Sequence, residues 1–452
     1  MEKRKRSQYE RMTQESIPRL ILTLSVPTIL SMLVSNIYNL VDTAFVGRLG
    51  TSQSAAVGVI FGFMAIIQAI GFMFGQGAGS IAARKLGGKD PKTASRIATT
   101  GVAGSVFLGL LISLFSAPLM DPIVRLLGST DTITPYAKSY LTYILIAAPF
   151  MTGSYTLNNL LRYQGRANLG MVGLMAGAVL NIALDPLLMF TLDLGIAGAA
   201  IATGASQIIS FWILLSMFLR NKTELRLHPK LLDARPATVG NIMATGLPSM
   251  LRQVLNSVAT ILLNSYAAAY GDEAVAAMSI VSRISFFVFA LSLGIGQGFQ
   301  PVSAFNYGAK KYARLRRALW VTVLISEGVI VVASAICLAL SGRLIQVFRD
   351  DPAVIEIGTR ALQLQMLTIL FLPFTMCVEM LYQSTGRRLG ASFLSSARSG
   401  LFFIPTLILL ANLRGLNGIQ EAQPAAYLLA VPLSIYFVIL FLRKTPGEDQ
   451  DE

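Results

Sequence analysis

Charged residues are scarce in this chain of 452 residues. Only 13% of them are Asp, Glu, Lys or Arg, whereas 54% are apolar; an average soluble domain has about 25% charged residues. So little charge cannot cover the surface of a water-soluble multi-domain enzyme. The abundance of apolar residues also excludes an intrinsically disordered chain.

Histidine and cysteine are almost absent. His228 is the only histidine and lies between apolar runs, so proton chemistry inside a membrane would have to use carboxylates. Cys337 and Cys377 lie within apolar runs without CxxC or metal-ligand spacing, and we interpret them as packing residues. No GxxxxGK[ST] run and no soluble domain is found, which argues against a nucleotide-driven pump.

Long apolar runs are what the sequence does contain. Because roughly 20 apolar residues cross about 30 Å of hydrocarbon, the runs predict an all-α, polytopic membrane protein with twelve transmembrane helices. The predicted spans are 17–45, 54–83, 95–120, 133–161, 169–192, 196–219, 237–269, 274–305, 315–341, 356–384, 391–412 and 425–442. The glycine-rich runs 54–83 and 274–305 leave a count of ten or eleven open.

The basic residues are distributed by membrane side. With the N-terminus inside, the cytoplasmic segments hold 27 Lys and Arg, against 7 in the outer segments. This asymmetry places both termini in the cytoplasm. It also argues against nucleic acid as the reason for the net charge of +14, since no soluble basic domain exists. The first span exceeds the apolar core of a signal peptide and lacks a cleavage site, so we expect it to be retained.

The chain is a tandem repeat. When the sequence is aligned with itself, 27–96 matches 248–317 without a gap, and thirteen of seventy pairs are identical, including Pro27/Pro248. An even number of spans per copy gives both copies the same orientation, related by an axis along the membrane normal, as in alternating-access transporters. The predicted organisation is a basic N-terminus 1–16, a first lobe 17–219, a linker 220–236, a second lobe 237–443 and a tail 444–452.

Ionisable residues inside spans are costly and mark candidate functional sites. Asp42 lies about 37 Å along span 1, and Asp185 about 24 Å along span 5, one turn beyond Asn181. Thr203 lies about 10 Å into the inward-running span 6. These four residues share the outer half of the first lobe, where their oxygen atoms suit Na⁺ or a shared proton.

The second copy lacks both acids, since Asp42 aligns with Leu263 and Asp185 with Ile404. We therefore interpret the acid pair as a coupling-ion site rather than a packing feature of the repeat. Pro27 removes a backbone hydrogen bond in span 1. It either lets that helix straighten or bend as Asp42 changes charge, or it forms a static kink.

Other polar residues are candidates for a substrate cleft: Glu379, its repeat counterpart Asn158, and Gln297. Glu379 either binds a cationic substrate or forms a structural ion pair with a buried arginine; Arg252, Arg283 and Arg398 are the arginines inside spans. Glu327 has a weaker claim.

Several of these stretches resemble the multidrug and toxin extrusion (MATE) family, in its bacterial MepA-like branch. The resemblance rests on Pro27 with Val41-Asp42, on Gln76-Gly77, on the run from Asn181 to Asp185-Pro186, and on GQGFQPVSAFNYGAKKYARLRRA at 296–318. It implies two six-helix lobes around a central cleft in the inner membrane of a bacterium.

The resemblance further implies efflux of small organic, often cationic or aromatic compounds, driven by H⁺ or Na⁺ at Asp42, Asn181, Asp185 and Thr203. These four residues would be ligands of Na⁺ only if transport is coupled to sodium. No acid occurs between 237 and 269, where several family members carry one. We expect no enzymatic activity, no cofactor besides the coupling ion, no nucleic-acid partner, and a monomer in contact with membrane lipid. A lipid or glycolipid flippase is the alternative, and an aspartyl protease on Asp42 and Asp185 lacks a GxGD-type context.

Overall fold

The computed structural model describes residues 7–220 and 222–450. Within these ranges all regular secondary structure is helical. The long helices, named α1 to α12 in chain order, are Ile17–Gly47, Thr51–Gly87, Pro91–Ser116, Thr134–Tyr163, Ala167–Thr191, Gly195–Leu219, Pro236–Ala268, Asp272–Gly308, Tyr312–Ala339, Pro352–Ser384, Arg388–Arg414 and Leu416–Lys444. The all-α prediction is therefore confirmed, and each of the twelve predicted spans overlaps one long helix, although the span 95–120 extends four residues past Ser116 and the span 315–341 two residues past Ala339.

The length of these helices suits a membrane. The shortest have 25 residues, which extend about 37 Å at 1.5 Å per residue. Of the twelve long helices in the described residues, ten are also apolar enough to cross a bilayer by composition, and α4 and α7 fall outside that set. The glycine-rich α2 and α8, where the sequence left a break open, are continuous helices of 37 residues.

The described residues form two compact units. The first contains residues 7–8 and Leu30–Met250, and the second contains Tyr9–Ile29 and residues 251–450. The change of unit falls directly after Ile29 in α1 and directly after Met250 in α7, and these two residues are counterparts in the sequence repeat. Each unit therefore includes the opening segment of the first helix of the other repeat. The lobe boundaries written from the sequence stay a prediction.

Glycines explain how the opening segment of α7 packs in the first unit. Gly77 of α2 and Gly246 of α7 lie at a helix crossing where a Cβ on Gly77 would collide with the carbonyl oxygen of Ile242. A Cβ on Gly246 would collide with the carbonyl oxygen of Met73. The two backbones thus approach more closely than any larger residue allows, which is the usual role of small residues between membrane helices.

The second unit repeats this crossing with α1 and α8. A Cβ on Gly298 would collide with the side chain of Ser25, whose hydroxyl donates to the carbonyl oxygen of Ile295 at 3.4 Å. Ser25 and Gly298 are the repeat counterparts of Gly246 and Gly77. Both copies therefore use the same pair of positions for the same contact.

Candidate cation-coupling site

The core of the site is formed by α5 and α6. Asn181 and Asp185 are four residues apart on α5 and so lie on one face of that helix. The Asn181 amide Nδ2 lies 3.3 Å from Asp185 Oδ1 and 3.4 Å from Thr203 Oγ1 on α6. All three side chains are buried, and Asp185 has no solvent exposure at all.

Asp42 completes the site from α1. Its side chain is 3% exposed, and its carboxyl group lies close enough to that of Asp185 for the two acids to interact electrostatically. Two ionised carboxylates at that separation repel each other, so a proton or a cation between them lowers the energy of the pair. The structure thus brings together all four residues that sequence depth and spacing selected, within the first unit.

Three oxygen atoms of the site are buried without a hydrogen-bond partner among the described residues: Asp42 Oδ1, Asn181 Oδ1 and Asp185 Oδ2. An unsatisfied buried acceptor costs about 1–3 kcal/mol, so three together need a physical reason. Ligation of a cation by hard oxygen atoms supplies one. A cavity of about 20 Å³ borders the site on the side of Asn181 and Thr203, which line it whereas the two acids do not, and it has room for one particle the size of a water molecule.

The donor set has only two acids. Across the described ranges no group of three or more His, Cys, Asp or Glu side chains is placed to hold a metal ion. A Na⁺ ion here would therefore rely on the Asn181 amide and the Thr203 hydroxyl in addition to the carboxylates, whereas a proton needs the carboxylates alone.

Two tyrosines beside the acids were missed by sequence reasoning. Tyr140 of α4 is fully buried and interacts electrostatically with Asp42 and Asp185. Tyr38 interacts electrostatically with Asp42 and lines the small cavity beside Asn181 together with Gln207. The spacing of Tyr38 and Asp42, one turn apart on α1, is a signal that sequence reasoning could have used. Tyr140 has no such signal, because the rotation of α4 is set by packing.

Backbone geometry changes directly after Asp185. The α-helical part of α5 ends at Pro186, and residues Leu187–Thr191 form a π-helical turn. Proline lacks the N–H that continues a regular helix, and π-helical turns occur frequently at functional sites. Pro27 leaves α1 continuous and lies in the part of that helix that belongs to the second unit. Its bending role stays a prediction.

Glu379 of α10 has a different environment in the second unit. It forms an ion pair with Arg252 of α7, and both side chains are buried. Arg398 is also buried, whereas Arg283 is exposed and Glu327 is partly buried. Of the two alternatives for Glu379, the structural ion pair with a buried arginine therefore has a specific partner, which is Arg252.

The other two cleft candidates lie in different surroundings. Asn158 is partly buried on α4 and packs against Gly170 of the first unit. Gln297 is buried on α8 in the second unit. A contact of either residue with substrate stays a prediction.

A duplicated set of membrane-crossing helices with a buried polar site is the architecture of a multi-pass membrane transporter. The MatE family model matches residues 27–187 and again 248–409, and the chain belongs to this family. The two matches begin at Pro27 and Pro248, the same pair of positions at which the two copies align in the sequence, which confirms the repeat.

Relatives and solved structures agree with this assignment. The multidrug export protein MepA of Staphylococcus aureus is 29% identical over 430 residues, covering 95% of this chain and 94% of the relative. MepA of Staphylococcus haemolyticus is 28% identical over 426 residues, covering 94% of each chain.

Among solved structures, an outward-facing multidrug resistance MATE family transporter has a TM-score of 0.91 at 24% identity, covering 97% of this chain and 99% of the other. A MOP superfamily transporter from Pyrococcus furiosus has a TM-score of 0.90 at 25% identity, covering 98% and 100%. These structures share the fold of this chain, and the family model confirms the expected family.

Proposed function

We propose that this chain is a secondary active exporter of small organic compounds, driven by the entry of H⁺ or Na⁺ at Asp42 and Asp185. The observation that carries the proposal is the buried acid pair beside Asn181, which together have three unsatisfied oxygen atoms, in a member of the MatE family. The relatives named as multidrug export proteins support export as the direction of transport.

The proposed cycle follows from the charge of the pair. When the site is empty, the two carboxylates repel each other. This repulsion favours binding of a cation from the solution on the outer side of the membrane. Binding neutralises part of that charge and allows α1, α5 and α6 to close around the ion. The empty and occupied sites then favour different conformations, and this difference in free energy drives alternating access.

Everted membrane vesicles test this proposal. A fluorescent cationic dye is added to the outer buffer, and its accumulation inside the vesicles is measured. The first measurement compares vesicles with and without a Na⁺ gradient at fixed pH, and the second applies a pH gradient without Na⁺. Accumulation that requires either gradient supports coupled export and identifies the ion. Accumulation that is indifferent to both gradients refutes it. A parallel assay of headgroup-labelled lipid flipping tests the flippase alternative directly.

A further inference from the structure

The second unit holds a cavity of about 280 Å³ among α7, α8, α10, α11 and α12. Its uncharged polar lining consists of hydroxyl side chains and five side-chain amides, which are those of Gln253, Asn256, Gln365, Gln420 and Gln423. Phe286, Phe289 and Tyr427 contribute the aromatic part of the wall. The volume lies close to the lower end of the range for small-molecule pockets, so the ring system of a small aromatic ligand fits.

Arg398 is the one charged residue among those that line this cavity. It is 5% exposed and lies on the π-helical turn Ala397–Phe402 of α11. Its guanidinium carbon lies 5.2 Å from the centroid of the Phe289 ring. No hydrogen bond or ion pair joins this guanidinium to any residue in the described part of the chain, so its N–H groups have no protein acceptor there.

The surroundings of Arg398 leave one positive charge uncompensated. Glu379 already pairs with Arg252, and Arg398 interacts with both of them only at longer range. Two guanidinium groups therefore face one carboxylate. A buried charge without a partner is costly, and an anion that enters the cavity removes this cost.

The repeat places this cavity where the first unit has its acid pair. In the alignment that pairs Pro27 with Pro248, the cavity-wall residues Asn256, Ala259 and Leu263 correspond to Ser35, Tyr38 and Asp42. The acid position has become leucine in the second copy, and an arginine has been added to the wall. The two equivalent positions are thus built for ligands of opposite charge.

We propose that the cavity binds the carboxylate of an aromatic organic substrate, with the Arg398 guanidinium as its partner and Phe289 against the ring. Guanidinium groups form two parallel hydrogen bonds with a carboxylate, and their planar face stacks on aromatic rings. This proposal rests on the proposed export function and names a substrate class for it: aromatic acids, including zwitterions with a separate cationic group.

The test uses purified full-length protein in detergent and two dyes, a rhodamine with a free carboxylate and the same rhodamine as its methyl ester. Fluorescence polarisation gives the Kd of each. The wild type is expected to bind the acid about tenfold more tightly, as one charge-assisted pair predicts. Arg398→Gln is expected to lose this preference, because it keeps the side chain polar but removes its charge. Arg343→Gln, at an exposed arginine of the short helix Ser341–Phe348, is the matched control and is expected to keep the preference.

A second variant keeps the test decisive if Arg398→Gln does not fold. Asn256→Asp adds a carboxylate to the wall with little change of shape, and the hydroxyl of Ser399 still has an oxygen acceptor there. It is expected to weaken binding of the acid relative to the ester, because the added carboxylate repels the carboxylate of the acid and attracts the cationic ring system that both dyes share. Equal affinity of the wild type for the two dyes, or an unaltered preference in Asn256→Asp, overturns the assignment. Transport of both dyes by wild-type protein in vesicles separates the two proposals. If neither dye is transported but the binding preference for the acid is present, only the export function is refuted. If both dyes are transported but the acid is not preferred in binding, only the carboxylate site is refuted.

Discussion

Asn181 lies one helical turn before Asp185 and donates its side-chain amide to that carboxylate across 3.3 Å. The same amide nitrogen lies 3.4 Å from the Thr203 hydroxyl, so one side chain orients two neighbours. Asn181 Oδ1 has no hydrogen-bond partner among the described residues and is free to accept a ligand. The asparagine therefore both positions the acid and supplies an oxygen atom to the site.

Removing either acid is expected to abolish coupled export. Asp42→Asn and Asp185→Asn keep the shape of the side chain and remove the charge that attracts the cation. Dye accumulation in everted vesicles is expected to fall to that of vesicles without the protein. Asp193→Asn is the matched control, since Asp193 is exposed and has a φ of 53°, which asparagine also tolerates. Full transport by either site variant, with a normal amount of folded protein, would show that the residue is not needed for coupling.

Asn181→Ala is expected to distinguish the two coupling ions. If the ion is Na⁺, the change removes the Asn181 oxygen ligand, and the Na⁺ concentration for half-maximal transport is expected to rise. If the ion is H⁺, the change removes the amide that donates to the Asp185 carboxylate and so favours the protonated acid, and the H⁺ concentration for half-maximal transport is expected to fall. The measurement is the initial transport rate as a function of the coupling ion at saturating dye. An unchanged ion dependence would remove Asn181 from the site.

Glu379 and Arg252 are expected to behave as a structural pair. Glu379→Gln leaves two buried guanidinium groups without a carboxylate, and losing one partner of a buried pair costs about 3–5 kcal/mol. The expected result is a lower Tm of the purified protein.

The double variant Arg252→Met with Glu379→Leu removes both charges and is expected to recover part of that Tm, because no charge of the pair is left unmatched. Additive losses of Tm in the single variants Arg252→Met and Glu379→Leu and in the double variant would show that the pair is not coupled.

The acid site could be predicted from the sequence because the spacing of residues along one helix and their depth along the spans are enough to define it. Asn181 and Asp185 are one turn apart on one helix, and depth along the spans brings Asp42 and Thr203 to the same level. The position of Tyr140 beside the acids depends on the rotation of α4 about its axis. The exposure of Arg398 to a cavity depends on a π-helical turn in α11. Residue spacing in the sequence predicts neither the rotation nor the turn. The exchange of the opening segments of α1 and α7 was also missed, because a glycine in a sequence does not reveal which backbone lies against it.

This exchange gives a prediction for Gly246. An alanine there would place a methyl group against the carbonyl of Met73 at the crossing of α2 and α7, so the two helices would have to separate. Overpacking of this kind costs about 1–3 kcal/mol, and Gly246→Ala is expected to lower the Tm of the purified protein. Gly240→Ala, in the same helix with nothing within 4 Å of the added carbon, is the control. It is expected to keep or slightly raise the Tm, because alanine favours a helix by about 0.5–1 kcal/mol over glycine. Equal effects of the two substitutions would mean that the close approach of α7 to α2 does not hold the opening segment of α7 in the first unit.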